Sequence, residues 1–333
     1  LKRDYAAHLV GHVDLSEVKR LGYADAQGIA RAAAILERGG LVAVPTETVY
    51  GLAARADSPD AVAKIYQAKG RPGFNPLIVH VTGAEQAGRY AAVNPKAREL
   101  IDAYWPGPLT LVLPIRADCG LAPAVTAGLP TLALRAPAHP VMCELLGVLD
   151  FPMAAPSANR SGYISPTSAQ HVLETLDGRI DAVIDGGVCE AGLESTILAV
   201  RADGSLDELR PGPIRINGLH GTFSERADAS IEAPGQLASH YAPGKPLRLN
   251  ADAADAGEFL IGFGGISGDC PLSASGDLDE AATRLYDCLH QAAASEHPRI
   301  AIVQIPNEGI GEAINDRLRR AAAPRPDPQK PSY

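Results

Sequence analysis

Gly39-Gly-Leu-Val-Ala-Val-Pro-Thr-Glu-Thr-Val-Tyr-Gly-Leu52 sets the reading of the chain. Residues 41–44 form a short apolar run behind two glycines, the pattern of a buried strand. Upstream, Ile29, Ala32, Ala33 and Leu36 recur at helical spacing, with Gly39 placed to cap the helix C-terminus. Downstream, residues 45–52 crowd two hydroxyls, a carboxylate and a phenol into a turn at a strand end. Ligands commonly bind at such strand ends in α/β proteins. A polar turn in which a threonine caps a helix is an equal reading of the same residues. Ser58-Pro59-Asp60 then supplies a capping hydroxyl, a proline at the first helical position and an acid in the first turn. The helix it opens runs to Lys69.

Working outward, strands are expected at 76–81, 109–113, 131–135, 153–155, 182–184 and 196–200, and helices at 95–104, 138–146 and 167–177. Helices and strands mix throughout, so the class is α/β, with a spacing too irregular for a plain βαβ array. Composition shifts near 212–247, where Pro213, Gly218, Gly221, Pro234, Gly235, Pro243, Gly244 and Pro246 cluster. This stretch reads as an interdomain linker. Beyond it, an apolar strand at 259–263, a helix at 278–294 and a strand at 299–304 make a second, smaller α/β unit. The expected division is a catalytic unit at 14–216, a linker or lid at 217–247, a small unit at 248–323 and a proline-rich tail, extended or disordered, at 324–333.

The 333 residues suffice for two domains, and 46% hydrophobic with 21% charged residues is an ordinary globular balance. No apolar run approaches the ~18 residues that span a bilayer. The first residues lack a basic-then-apolar leader pattern, so a cytoplasmic protein is expected. A net charge of −9 argues against a broad nucleic-acid-binding surface but not against a small anionic ligand, which needs only a few local cations. Five cysteines with no CxxC spacing read as buried free thiols rather than a disulfide framework or a zinc site.

Two short segments carry the chemistry. Lys69-Gly-Arg71 ends a helix and runs into Pro72-Gly-Phe-Asn-Pro76, placing two cations two residues apart beside glycines. Ala154-Ala-Pro-Ser-Ala-Asn159 offers a hydroxyl and an amide in a tight space. Together they suit a phosphorylated substrate oriented by neutral hydrogen bonds. Taken alone, Lys69 and Arg71 also fit a solvated helix end, and His80 a structural strand histidine. Arg135 closes an apolar strand and needs an anion, either a carboxylate partner or a ligand. Glu194-Ser195-Thr196 offers further hydroxyls, and Arg210-Pro-Gly212 is another cation in a tight turn. No P-loop, HExxH, GxSxG or kinase-loop motif occurs, so no covalent nucleophile is indicated.

The full set resembles a known family. PTETVYGL at 45–52, KGRP at 69–72, NPLIVHV at 75–81, WPGPLTLVL at 105–113, LRAP at 134–137, PSAN at 156–159, ESTI at 194–197 and RPGPI at 210–214 resemble the YrdC-type domain. SHYAPGKPL at 239–247 and the unit after it resemble the longer, two-domain form, the L-threonylcarbamoyladenylate synthases. The resemblance implies a twisted mixed sheet with helices, followed by a smaller Rossmann-like α/β domain. It implies a nucleotidyltransferase that makes threonylcarbamoyl-AMP and pyrophosphate from L-threonine, bicarbonate or CO2 and ATP, with Mg2+ and no organic cofactor. Other proteins would then pass the group to tRNA beside the anticodon; these transfer proteins are the expected partners, with weak tRNA contact.

By the same resemblance, Thr48, His80, Arg135, Ala155 and Ser195 would hold threonine, with Arg135 on its carboxylate. Lys69, Arg71, Asn75, Thr131, Ser157, Asn159, Ser165, Arg210 and Tyr241 would hold ATP, with Lys69, Arg71, Ser157 and Asn159 at the reaction centre and Tyr241 closing over the nucleotide. Relatives often carry Thr or Ser just before the SAN segment, where this chain has Ala155-Pro156. Two other readings compete. A hydrogenase-maturation carbamoyltransferase would carry CxxC zinc motifs, and an RNA-binding module would be basic; this chain has neither feature.

Overall fold

The computed structural model describes residues 19–21, 26–216 and 231–324. Ten strands build one twisted sheet: β1 (Lys19–Leu21), β2 (Val42–Val44), β3 (Gly51–Arg55), β4 (Ile78–His80), β5 (Leu109–Pro114), β6 (Thr131–Arg135), β7 (Met153–Ala154), β8 (Ala182–Ile184), β9 (Thr196–Val200) and β10 (Leu206–Arg210). Their spatial order is β1-β8-β2-β3-β7-β4-β6-β5-β9-β10, with parallel and antiparallel neighbours mixed. Among the described residues six α-helices cover it: α1 (Ala26–Glu37), α2 (Pro59–Lys69), α3 (Ala84–Tyr90), α4 (Pro95–Tyr104), α5 (Pro140–Val148) and α6 (Ala169–Leu176).

Strand alternation divides the core between the two faces. Val42, Val44, Ala53 and Met153 pack with Ile29 and Leu36 of α1 and Met142 and Leu145 of α5. Ala43, Leu52, Ala54 and Val79 point the other way, onto Val62 and Ile65 of α2, Leu100 of α4 and Val172 of α6. Central strands buried on both faces read as short apolar runs, which is why 41–44 was legible.

The helix caps follow the sequence signals. Ser58 Oγ accepts from the Ala61 amide at 3.3 Å, Pro59 opens α2, and Gly70 ends it in the left-handed region at φ 58°. Asn94 caps α4 in the same way. The helix expected at 138–146 begins at Pro140, because His139 is its N-cap and accepts from the Val141 amide. Residues 45–50 do turn, but Gly51–Arg55 continues as β3, antiparallel to β2. Its alanines are poor strand formers, so pairing rather than propensity makes this strand. β10, α3 and the last helix were likewise not expected.

The second unit is a four-stranded parallel sheet, β11 (Leu247–Ala251), β12 (Glu258–Gly262), β13 (Cys270–Pro271) and β14 (Arg299–Val303), in the order β11-β14-β12-β13. It carries α7 (Leu278–Ala294) and α8 (Gly311–Ala322). β11 starts on Leu247, the last residue assigned to the linker. Residues 14–18, 22–25, 217–230 and 325–333, including most of the expected tail and half of the linker, lie outside the described residues. One expectation is corrected here: Cys270 and Cys288 form a disulfide between β13 and α7. Among the other three cysteines only Cys189 is a buried free thiol; Cys143 is exposed and Cys119 half-buried. Spacing rules miss such a bridge because strand and helix bring the two together in space.

The two units share one apolar cluster, in which Val49, Ile164 and Leu193 meet Tyr241, Leu285 and Tyr286. Gly192, at φ 65°, lets the α7 backbone in close: a Cβ there would lie 2.4 Å from Thr283 Cα. At the centre is Arg317 of α8, wholly buried. Its Nε donates to Glu194 Oε2 at 2.8 Å, its Nη2 to the Pro211 carbonyl at 2.9 Å and its Nη1 to Asp316 Oδ2 at 2.8 Å. Removing one partner strands a buried charge, so Arg317→Met should cost roughly 3–5 kcal/mol of unfolding free energy in urea titrations. Lys96→Ala, which breaks an exposed pair with Glu99, should stay within about 0.5 kcal/mol. Equal effects at the two positions would mean that Arg317 does not join the domains.

Candidate functional site

β6 and β4 run parallel, so His80 and Arg135 end side by side in register. The turn between β2 and β3 folds over them, shaped by Thr46, whose Oγ1 accepts from the Thr48 and Val49 amides. Arg135 Nη1 donates to Thr48 Oγ1 at 2.9 Å, its Nε donates to the Gly107 carbonyl at 3.2 Å, and Nη2 lies 2.8 Å from Glu47 Oε1. The anion that Arg135 requires is thus Glu47 in this structure. Burial favours the neutral acid at Glu47, but the charge of Arg135 holds its pKa below the usual carboxylate value. Nε and Nη1 each use one hydrogen in a hydrogen bond and Nη2 meets Glu47 as an ion pair without hydrogen-bond geometry, which leaves two of the five donors facing neither. Burial and the Arg135 charge hold the His80 imidazole down to about 3, so it is neutral at pH 7. Its Nδ1 has no partner among the described residues.

Lys69 is not a solvated helix end. Only 2% exposed, it turns inward, and its Nζ donates to the Ser157 and Asn159 carbonyls at 2.6 and 2.5 Å. Arg71, also buried, donates to the carbonyls of Asn75 and Pro76. Arg210 closes β10 and donates to the Ser195 carbonyl at 2.9 Å and to Ser195 Oγ at 3.1 Å. None of these three cations has a carboxylate within ion-pair distance among the described residues. Burial pushes the Lys69 ammonium well below its usual pKa, helped by the Arg71 charge, and lowers Arg71 to about 10. Arg210 shifts the same way, again through burial.

One cavity brings most of the expected residues together. Thr48, Arg71, His80, Arg135, Ala155, Ser157, Ser195, Arg210 and Tyr241 line it. Lys69 lies directly behind, holding Ser157 and Asn159 by their carbonyls. The Asn75 amide is buried with no partner among the described residues. The Asn159 amide donates to the Arg160 and Tyr163 carbonyls and so shapes its own turn. Ser165 is buried with its hydroxyl beside Glu194. Thr131 stands at the opposite end of β6 from Arg135 and is not among the lining residues.

The linker covers the cavity. His240 and Tyr241 are buried, with Tyr241 in the left-handed region at φ 62°. A non-glycine residue held there costs about 1–3 kcal/mol. The conformation is fixed from both sides: the Ala242 amide donates to the Gly162 carbonyl and the His240 amide to the Arg320 carbonyl. Burial holds His240 near 3, hence neutral. The space left inside is about 40 Å³, whereas ligand pockets run to roughly 300–1,000 Å³. A ligand of that size does not fit while this segment stands where it does.

Sequence reading missed what holds the site from outside. Glu194, beside Ser195, takes Arg317 from α8, and the Tyr286 hydroxyl of α7 lies 2.9 Å from the same carboxylate. Thr110 Oγ1 lies 2.7 Å from Ser195 Oγ. Separations of 85 to 123 residues leave no local signal for these pairs.

Fold and cavity together define a YrdC-type α/β protein whose cavity, lined by buried cations, is covered by the segment between its two domains. Residues 34–212 match the Sua5–YciO–YrdC family model, described as "Telomere recombination", and residues 208–323 match the threonylcarbamoyl-AMP synthase C-terminal domain. The threonylcarbamoyl-AMP synthase of Bacillus subtilis is 41% identical, over 89% of this chain and 93% of its own. That of Pyrococcus abyssi is 36% identical, over 88% and 94%. The crystal structure of P. abyssi Sua5 complexed with L-threonine superposes with a TM-score of 0.79 at 34% identity, covering 90% of this chain and 95% of that one. The chain belongs to the threonylcarbamoyl-AMP synthase family, in its two-domain form.

Glu194 gives a pH test. Burial favours its neutral form, but the charges of Arg317 and Arg210 outweigh this and hold the carboxyl at about 2. A folded-state pKa below the unfolded one stabilises the fold above about pH 5, and that stability is lost as pH falls toward 2. The contribution is on the order of 3 kcal/mol. The stability gap between wild type and Glu194→Gln should therefore be widest above pH 5 and close as pH falls toward 2, read by denaturant titration. A gap independent of pH would contradict the ion pair.

Proposed function

We propose that the chain is a nucleotidyltransferase that makes L-threonylcarbamoyl-AMP and pyrophosphate from L-threonine, bicarbonate or CO2 and ATP. The product would serve threonylcarbamoyl modification of tRNA, in the cytoplasm, through separate transfer proteins and with at most weak tRNA contact by this chain. One observation carries the reading: Lys69, Arg71 and Arg210 are buried together with only carbonyl and hydroxyl partners. Buried charge without a counter-ion is costly, so the missing partner is an anion of several charges, as a triphosphate is.

The residues divide the work without a covalent nucleophile. Arg135, with two donors spare, takes the threonine carboxylate, and Thr48 and Ser195 offer hydroxyls to its polar groups. His80 can accept a hydrogen bond from the ammonium, but with a pKa of about 3 it is too weak a base to remove the proton. Its role is placement. The threonine nitrogen, as its free amine after passing a proton to solvent, attacks the carbon of CO2, which bicarbonate yields by losing water; the carbamate forms as the nitrogen sheds a further proton to water. A carbamate oxygen then attacks the α-phosphorus of ATP, the bond to the β-phosphate oxygen breaks, and pyrophosphate leaves. Lys69, Arg71 and Arg210 stabilise charge on the phosphates, Ser157 and Asn75 orient them, and Asn159 holds the turn that presents Ser157, with Thr131 and Ser165 as outer contacts. The Tyr241 lid shuts water away from the labile carbamate.

Magnesium fits as part of the ATP complex. Glu194 is engaged by Arg317 and Glu47 by Arg135, so neither is free to bind a metal. Phosphate oxygens and water would hold the ion, which supplies further neutralisation of the phosphates. The deciding assay is pyrophosphate release. It should require ATP, L-threonine and bicarbonate together, and serine should be poorer than threonine by the ~1–3 kcal/mol that one methyl is worth. Release at an unchanged rate without threonine would refute the assignment.

A further inference from the structure

α6 and α7 face each other across the domain boundary, and four side chains converge there. His171 and Glu174 come from α6, Asp287 and His290 from α7. The two imidazole rings stack with centroids 3.9 Å apart and planes within 11°. One donor atom from each of His171, Glu174 and His290 lies within 4.8 Å of the others, and Asp287 Oδ1 is 3.6 Å from His171 Nε2. The rings are buried, while both carboxylates are about 40% exposed and open a path from solvent.

The protons at His290 make the cluster informative. Its Nε2 lies 3.3 Å from the Ser165 carbonyl oxygen, which can only accept. A neutral ring donating there carries a lone pair on Nδ1, and Nδ1 sits 2.8 Å from Glu174 Oε2. In that tautomer the ring nitrogen and the carboxylate oxygen face each other as two electron-pair donors, an arrangement that a metal ion bridges. A carbonyl on the far ring nitrogen is also the usual outer partner of a metal-bound histidine. At the second ring, the Thr167 amide donates to His171 Nδ1 at 3.4 Å, and Thr167 Oγ1 lies 3.3 Å from the same nitrogen.

We propose that His171, Glu174 and His290, with Asp287 as the fourth donor, form an interdomain site for a divalent cation of the zinc class, separate from the magnesium that accompanies ATP. Two imidazoles with carboxylates suit zinc, whereas magnesium prefers oxygen donors and water. Tetrahedral bonds of ~2.0–2.1 Å place donors about 3.3 Å apart, so among His171, Glu174 and His290 the widest pair needs to close by about 1.5 Å at most, while Glu174 and His290 spread by about 0.5 Å. The half-exposed carboxylates have the freedom to do so. Because α7 also carries Tyr286 to Glu194, the ion would fasten the small domain to the frame of the substrate cavity.

The test uses the full chain, stripped with chelator, desalted and titrated with Zn2+ or Co2+ alone. The expected result is one zinc retained per chain, a melting temperature raised by Zn2+ but not Mg2+, and a visible Co2+ spectrum of a four-coordinate nitrogen–oxygen site. Glu174→Gln preserves shape on a half-exposed side chain and should fold as wild type. It should weaken zinc at least by the ~10-fold that loss of an outer partner already costs. His290→Gln should remove the cobalt spectrum. Failure of the wild type to retain zinc would overturn the proposal, as would zinc binding of wild-type strength in Glu174→Gln, which would place the ion elsewhere.

Discussion

Lys69, Arg71 and Arg210 share one constraint: each is buried, and none has an acid of its own among the described residues. The acids in the neighbourhood are already matched. Glu47 pairs with Arg135, Glu194 with Arg317, and Asp316 with Arg317 and Arg320. What remains is a cluster of positive charge held by main-chain carbonyls and the Ser195 hydroxyl. Such a cluster stays in the interior only because the surrounding sheet over-determines it. Under the proposed function this cluster is the complement of a polyanion, and the surrounding sheet holds it in place.

The small domain belongs to that scaffold. Arg317 reaches from α8 to Glu194 and to the carbonyl of Pro211, the residue after Arg210. It thus steadies the segments that present Ser195 and Arg210. The same guanidinium lies 5.4 Å from the centre of the Tyr241 ring. The segment that carries Tyr241, the turn that carries Ser195 and the second domain converge on one side chain, so moving that segment would disturb contacts on both sides of the cavity. The strained backbone at Tyr241 is consistent with a segment that has a second resting place.

Much of the fold was legible because its signals are local. The Ser58-Pro59-Asp60 start and Gly70 end of α2 are set by capping chemistry, and 131–135, 182–184 and 196–200 are apolar runs bounded by turns. β3 was not legible, since Gly-Leu-Ala-Ala-Arg has little strand preference and depends on β2 and β7 for its pairing. The cavity-lining residues were named through their motifs, but the direction of Lys69 was not fixed by sequence. A helix-end lysine commonly points to solvent, and only the approach of the 157–159 turn draws it inward. Pairings across the domain boundary, such as Glu194 with Arg317 and Glu174 with His290, depend on how two sheets dock. The Cys270–Cys288 bridge depends instead on how α7 packs on β13 inside the small domain.

The central claim is that these three cations are the seat of a polyphosphate. Calorimetric titration of the intact chain with inorganic pyrophosphate, the product that needs no turnover to bind, tests it most directly. Wild type should bind saturably, and Arg71→Met, which keeps the bulk and removes the charge, should bind at least about 10-fold more weakly, since each charged contact is worth a few kcal/mol. Equal binding by wild type and Arg71→Met, or no binding by wild type, would contradict the account.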